Sequence, residues 1–278
     1  MNTLRTLVPI IVTALVVLSL IGCTAMPDVV AAEIARSDLD RELEPQVNPE
    51  DLYEVAAANR AFALDLYQAL KDGGPDNLFY SPHSISVALA MTYAGARGET
   101  EAQMAKALRF TLDQERLHPA FNGLDLLLES RGEGAEGKDD QGFRLHVVNA
   151  LWGQKGFGFE DAFLDALARS YGAGLRLVDF RKAAEAARQV INTWVSDQTE
   201  DRIQDLIPAG ALDSMTRLVL TNAIYFNAAW QFPFTESRTA DEPFTRLDGS
   251  TVSVPMMALQ ESLGYVEGDG YQAVDLLY

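Results

Sequence analysis

Between Asn77 and Gln103 the chain reads NLFYSPHSISVALAMTYAGARGETEAQ, and residues 84–96 carry no charge on any helical face. A helix without a polar face must be buried on all sides. Ser81 is placed to cap its N-terminus, with Pro82 at the first helical position, where a missing N–H costs nothing. Ser84, Ser86, Ala88, Ala90, Ala94 and Gly95 keep the helix thin, so other elements can lie close against it. Gly98 is expected to end it, and Thr100 with Gln103 to form a capping box for the next helix. Only a sizeable domain can surround such a helix. With 278 residues, 48% of them hydrophobic, the chain can supply one.

Forty acidic residues against 22 basic ones give a formal charge of −18. That argues against a nucleic-acid partner and against adsorption to an anionic membrane surface. The single cysteine, Cys23, cannot make an internal disulfide. It follows Arg5, the apolar run 7–20 and the small Gly22, a run too short for a confident membrane span. This segment resembles the lipobox of bacterial lipoproteins, which implies residues 1–22 as a signal peptide, cleavage before Cys23 and lipidation of Cys23. The alternative is an ordinary secretory signal with an incidental cysteine. Either way the product is exported.

Residues 23–51 are poor in large apolar side chains, rich in Asp and Glu, and interrupted by Pro27, Pro45 and Pro49. They read as a flexible acidic tether, in which a short solvent-exposed helix over 29–43 is conceivable. The folded domain is expected over 52–278. Helical periodicity runs over 52–70, over 118–128 and over 160–171, and most clearly over 183–198, where Ala184, Ala187, Ile191 and Trp194 share a stripe. Residues 143–154 and 175–180 are strand-like, the latter with Leu175 and Leu177 inward. The uncharged run LVLTNAIYF at 218–226 reads as a central strand covered on both faces. Four further strand-like runs come after it, with turns at Asp248-Gly249 and Gly268-Asp269-Gly270. Helices dominate the first half and strands the second, an α+β arrangement. The sequence stops inside an apolar strand-like run at Tyr278, which reads as an N-terminal fragment.

No catalytic constellation emerges. His83, His118 and His146 form no HExxH or i,i+4 pair, so no metal site is expected, and no nucleotide loop or nucleophile elbow is present. Ser81 or Ser84 beside His83 lacks an orienting carboxylate, and capping and core hydrogen bonding are the better uses of these serines. Neither an enzyme nor a cofactor is expected.

Four motifs in order resemble the serpin family. Asn77, Phe79, Ser81-Pro82, Ser84-Ile85-Ser86, Ala88-Leu89, Met91, Gly95-Ala96, Gly98, Thr100 and Gln103 match the family's strand 6B, helix B and entry to helix C. Residues 191–195 (INTWV), Thr199 and Ile203 match the end of helix F and the segment after it. Leu220, Asn222-Ala223-Ile224-Tyr225-Phe226 and Trp230 match strand 3A. Phe234, Thr239, Phe244, Gly249, Val254 and Met256-Met257 fall where the family's next strands lie.

The resemblance implies a serpin-like α+β fold, with helices clustered in the N-terminal half packed on large mixed β-sheets, incomplete at the C-terminus. It further implies a suicide-substrate inhibitor of serine, or else cysteine, proteases. In that mechanism a cleaved reactive loop enters the main sheet as a new strand, out of a kinetically trapped native state. Ser81, Ser84 and Asn222 would be shutter residues and Trp230 the breach tryptophan, although local packing or capping would equally account for each. The family's reactive loop, its hinge and its shutter histidine all fall after Tyr278 and are absent from this chain, so these residues alone are expected not to inhibit. The alternative is a non-inhibitory serpin-like binding or structural lipoprotein. A monomer is expected, lipid-anchored at the bacterial cell surface or the periplasmic face of a membrane.

Overall fold

The Asn48 side chain accepts a hydrogen bond from the Glu50 N–H at 3.1 Å and thereby starts α1 (Pro49–Leu70) ahead of the apolar periodicity, with Pro49 in the first turn. The computed structural model describes residues 33–73, 77–132, 143–246 and 248–278, the side chain of residue 146 excepted, all within the unit Glu33–Tyr278. α1 is followed by α2 (Pro82–Tyr93), α3 (Gly98–Leu108) and α4 (Gln114–Glu129). These helices share a core of Val55, Phe62, Val87, Tyr93, Leu117 and Phe121, in which the Phe110 ring packs edge-on against Tyr93 at 5.4 Å and Phe121 at 5.7 Å. The opposite side of α2 joins a second core, where Met91 meets Leu151, Leu167 and Leu175. α2 therefore sits between two cores. That is the burial its uncharged sequence requires.

The main sheet contains β1 (Glu33–Ala35), β2 (Arg144–Gln154), β3 (Leu175–Val178) and β4 (Leu218–Asn227) in the order β1-β3-β2-β4. β2 and β3 are parallel and joined by α5 (Asp161–Tyr171), as a parallel pair requires, whereas β2 and β4 are antiparallel from Arg144↔Asn227 to Gly153↔Leu218. Side chains alternate between the two faces. Leu151, Leu175 and Leu177 point into the core beneath, whereas Trp152 meets α6 (Phe180–Gln198) on the other face. Non-helical backbone at Ala183 separates the first turn of α6 from its long amphipathic part. Two hairpins complete the described chain, β5–β6 (Ala240–Thr245, Thr251–Met256) and β7–β8 (Gly264–Gly268, Tyr271–Asp275). Their turns use Gly249 and Gly270 at φ of 81° and 79°, a region that glycine enters without steric cost.

Several expectations are corrected. Residues 33–48, read as tether, lie against the body. Glu33–Ala35 form the antiparallel edge strand on β3, and Arg41 bonds to Asn122, Asp125 and Glu129 on α4. No helix forms over 33–43; the segment is held by backbone pairing and ion pairs, which composition does not report. β4 is covered on both faces but is the outermost strand of the sheet among the described residues, not a central one. The capping box at Thr100 does not form. α3 already starts at Gly98, Arg97 caps it without a side-chain bond, and the Gln103 amide donates to Glu99 at 2.8 Å. α4 begins at Gln114, earlier than residue 118, because Asp113 accepts the Arg116 N–H at 3.0 Å. Cys23 and residues 1–32 lie outside the described residues.

Candidate functional site

β4 and the start of α2 carry three of the four residues singled out for a switch. At the head of α2, the Ser81 hydroxyl oxygen accepts the Ser84 N–H at 3.3 Å and the Ser84 hydroxyl at 2.9 Å. Ser84 is buried, so its hydroxyl needs this partner. Ser86, two residues further along the helix, is fully buried, and its hydroxyl has no hydrogen-bond partner among the described residues. His83 beside them is largely buried, and desolvation pulls its pKa below the ordinary histidine value. Its Nε2 is unpartnered among the described residues, so neither serine is coupled to a base there.

Asn222 lies on the α2-facing side of β4, since it alternates with Thr221, which turns to the other face and accepts the Trp152 indole N–H at 3.0 Å. The Asn222 amide donates to Asn149 Oδ1 at 2.7 Å, directly across the β2–β4 ladder. Among the described residues no hydrogen bond joins this pair to Ser81 or Ser84. The sheet and the helix thus carry separate polar pairs on facing surfaces. Asn149 was not singled out from sequence, although an asparagine within the β-rich FRLHVVNALWGQ is the same signal that drew attention to Asn222.

Trp230 follows the end of β4. It stacks on Tyr278 with centroids 4.4 Å apart at 19°, and meets Phe234 edge-on at 6.2 Å. Tyr278 also packs at 90° against Phe226, and the Gln231 N–H donates to the Leu277 carbonyl at 2.9 Å. A hollow of about 770 Å³, lined by Ile224, Phe226, Asn227, Trp230 and Tyr278 among others, opens beside this end of the strand. Trp230 therefore lies beside the end of β4, the outermost strand of the sheet among the described residues.

On the outer face α6 is fastened by a cation. The Arg176 guanidinium lies 5.5 Å from the Trp152 ring centroid and 5.0 Å from that of Trp194, and the two indoles are themselves edge-on at 5.6 Å. Burial lowers the Arg176 pKa, yet a guanidinium stays charged, and the two π-faces supply its local stabilisation. Sequence reasoning placed Trp194 on the buried stripe of its helix but missed Arg176; the alternation Leu-Arg-Leu that put both leucines inward put this arginine under α6. Below the sheet, His118 Nδ1 meets the Tyr171 hydroxyl at 2.7 Å. Burial, with a smaller contribution from the Arg97 charge, pushes the His118 pKa down to about 4. Among the described residues no group of three or more His, Cys, Asp or Glu could hold a metal ion.

Residues 57–278 match the family model for serpins, serine protease inhibitors. The chain is 40% identical over 228 residues to the leukocyte elastase inhibitor of Sus scrofa, covering 81% of this chain and 58% of that one. It is 41% identical over 225 residues to an uncharacterised serpin-like protein of Thermococcus kodakarensis, covering 81% and 50%. Among solved structures, that of cleaved Serpin 42Da superimposes with a TM-score of 0.70 at 31% identity, covering 82% of this chain and 59% of that one.

Proposed function

Because the chain belongs to the serpin family, we propose that the protein it comes from is a serine protease inhibitor of the suicide-substrate, loop-insertion type. The chain spans 58% of the length of its porcine relative, so the activity is proposed for the protein as a whole. The observation that carries the reading is the match over 57–278 combined with β4 as the outer strand of the main sheet. An added strand at that edge would pair with β4, enter beside Trp230, and run beneath α6. In this reading Ser81, Ser84 and Asn222 hold the sheet closed. Ser81 and Ser84 fix the helix beneath it, and Asn222 with Asn149 ties β4 to β2. Buried polar pairs of this kind cost free energy to separate, which is what a barrier to strand entry needs.

The first 278 residues taken alone do not inhibit, because in this family the protease-reactive loop comes later in the chain. The protein is exported and acts as a monomer on serine or cysteine proteases. A lipid on Cys23 holds it at the bacterial cell surface or the periplasmic face of a membrane. Incubating the full-length protein with a panel of serine and cysteine proteases tests the reading. An SDS-stable complex with at least one of them is expected, and cleavage of the protein without any complex would refute it.

A further inference from the structure

Residues 33–48 lie outside the segment that matches the family model, yet the body is shaped around them. Asn122, on α4, is 1% exposed. Its Oδ1 accepts the Arg41 Nε–H at 2.9 Å, and its Nδ2 donates to the Glu42 carbonyl at 2.6 Å. Both short bonds of this buried amide therefore go to the incoming segment, and without it Asn122 would be left almost unpaired. Arg41 also reaches Asp125 at 2.5 Å and Glu129 at 3.1 Å, with its own side chain only 19% exposed. The Glu42 N–H donates to the Arg169 carbonyl at 3.0 Å, and the Ser37 hydroxyl donates to Asp165, both on α5.

Two glycines complete the fit. A methyl group on Gly174 would lie 2.7 Å from Ile34 Cγ2, 3.3 Å from Arg36 Cβ and 3.6 Å from the Ala35 carbonyl, all atoms of the incoming segment. One on Gly172 would lie 2.9 Å from Arg41 Cδ. Beyond them, Glu33–Ala35 pair with β3 in the register Glu33↔Leu177 to Ala35↔Leu175.

We propose that residues 33–48 are a strap, held by the body as a built-in peptide ligand, that locks α4, α5 and β3 together and closes the outer edge of the sheet opposite β4. The groove beneath the strap is a binding surface for an extended segment that pairs with β3 and then presents an arginine to Asp125 and Glu129. When the strap leaves, β3 becomes an open edge, competent to pair with another extended chain. The strap stands independently of the inhibitory reading, because it acts at the other side of the sheet.

Hydrogen exchange on the full-length protein tests this in two independent ways. Arg41→Ala removes the ion pairs and one Asn122 bond, and is expected to speed exchange across β3 and the C-terminal half of α5 by roughly tenfold or more, with β4 unchanged within about twofold. Gly174→Ala presses first on the strap, whose atoms are the three nearest to the added methyl group, and is expected to deprotect β3 in the same way. Ile34→Ala in the Gly174→Ala background removes the clashing Cγ2 and restores protection. Unchanged exchange in β3 for both single variants overturns the proposal, as does equal acceleration of β3 and β4, or failure of Ile34→Ala to rescue.

Discussion

Replacing Asn222 by Val removes the donor of the 2.7 Å bond to Asn149 and leaves the Asn149 amide facing α2 without its cross-strand partner. A typical hydrogen bond contributes about 1 kcal/mol net, and an orphaned buried group costs about 1–3 kcal/mol. Both residues are half-buried, so water recovers part of that cost, and each single Asn→Val change is expected to destabilise by about 1–2 kcal/mol. The double variant leaves no orphan and places two β-branched side chains on adjacent strands, where they are favoured. It should therefore cost less than the sum of the singles, with a coupling energy of about 1 kcal/mol. The assay is the midpoint of the first denaturation transition at a common slope, for wild type, both singles and the double. Additivity to within about 0.3 kcal/mol would show that the pair does not act as a unit, and would refute its assignment as a tie between β2 and β4.

Three further outcomes are expected from the same geometry. His118, held near pKa 4 when folded against about 6.5 unfolded, stays neutral in the native state while the unfolded chain takes up a proton. Stability is thus fully present above pH 6.5 and falls by about 3 kcal/mol as the pH drops to about 4, where the loss levels off; an NMR titration of the His118 ring should show no inflection near 6.5. Ser81→Ala deletes the cap of α2 and is expected to cost about 1 kcal/mol, read as a denaturation midpoint shift. Trp194→Ala opens the contact between α6 and the sheet and strips Arg176 of one π-face. Because Trp194 is half-buried, a loss of about 2–3 kcal/mol, below the range for a core aromatic, and faster exchange in α6 are expected, while Trp194→Phe keeps most of both.

How much the sequence disclosed depended on whether the signal was local. The uncharged run at 84–96 has one physical solution, and α2 lies between two cores as that run demands. Of the stripe Ala184, Ala187, Ile191 and Trp194, Ala187 and Ile191 are buried on α6 while Ala184 and Trp194 are half-buried, and the glycine turns at 249 and 270 announced their hairpins. Misreadings arose where the deciding partner is far away in the chain. Residues 33–48 have the composition of a tether, but Arg41 meets Asn122 and Asp125 more than eighty positions later. Asn222 drew notice as a polar residue in an apolar strand, yet its partner proved to be Asn149 on the neighbouring strand rather than the serines of α2. Thr100 and Gln103 have capping-box spacing, but the backbone turned helical already at Gly98. Local pattern fixes which residues must be buried; which distant residue meets them is set by packing.

The central claim is that the native protein is a trapped state that gains stability when its loop becomes a strand beside β4. The most direct measurement is thermal unfolding of the full-length protein before and after a single proteolytic cut in the proposed reactive loop. A cut form that melts well above the intact one, with new exchange protection along β4, is the predicted result. A cut form that melts at or below the intact temperature, with β4 as open as before, would contradict the account.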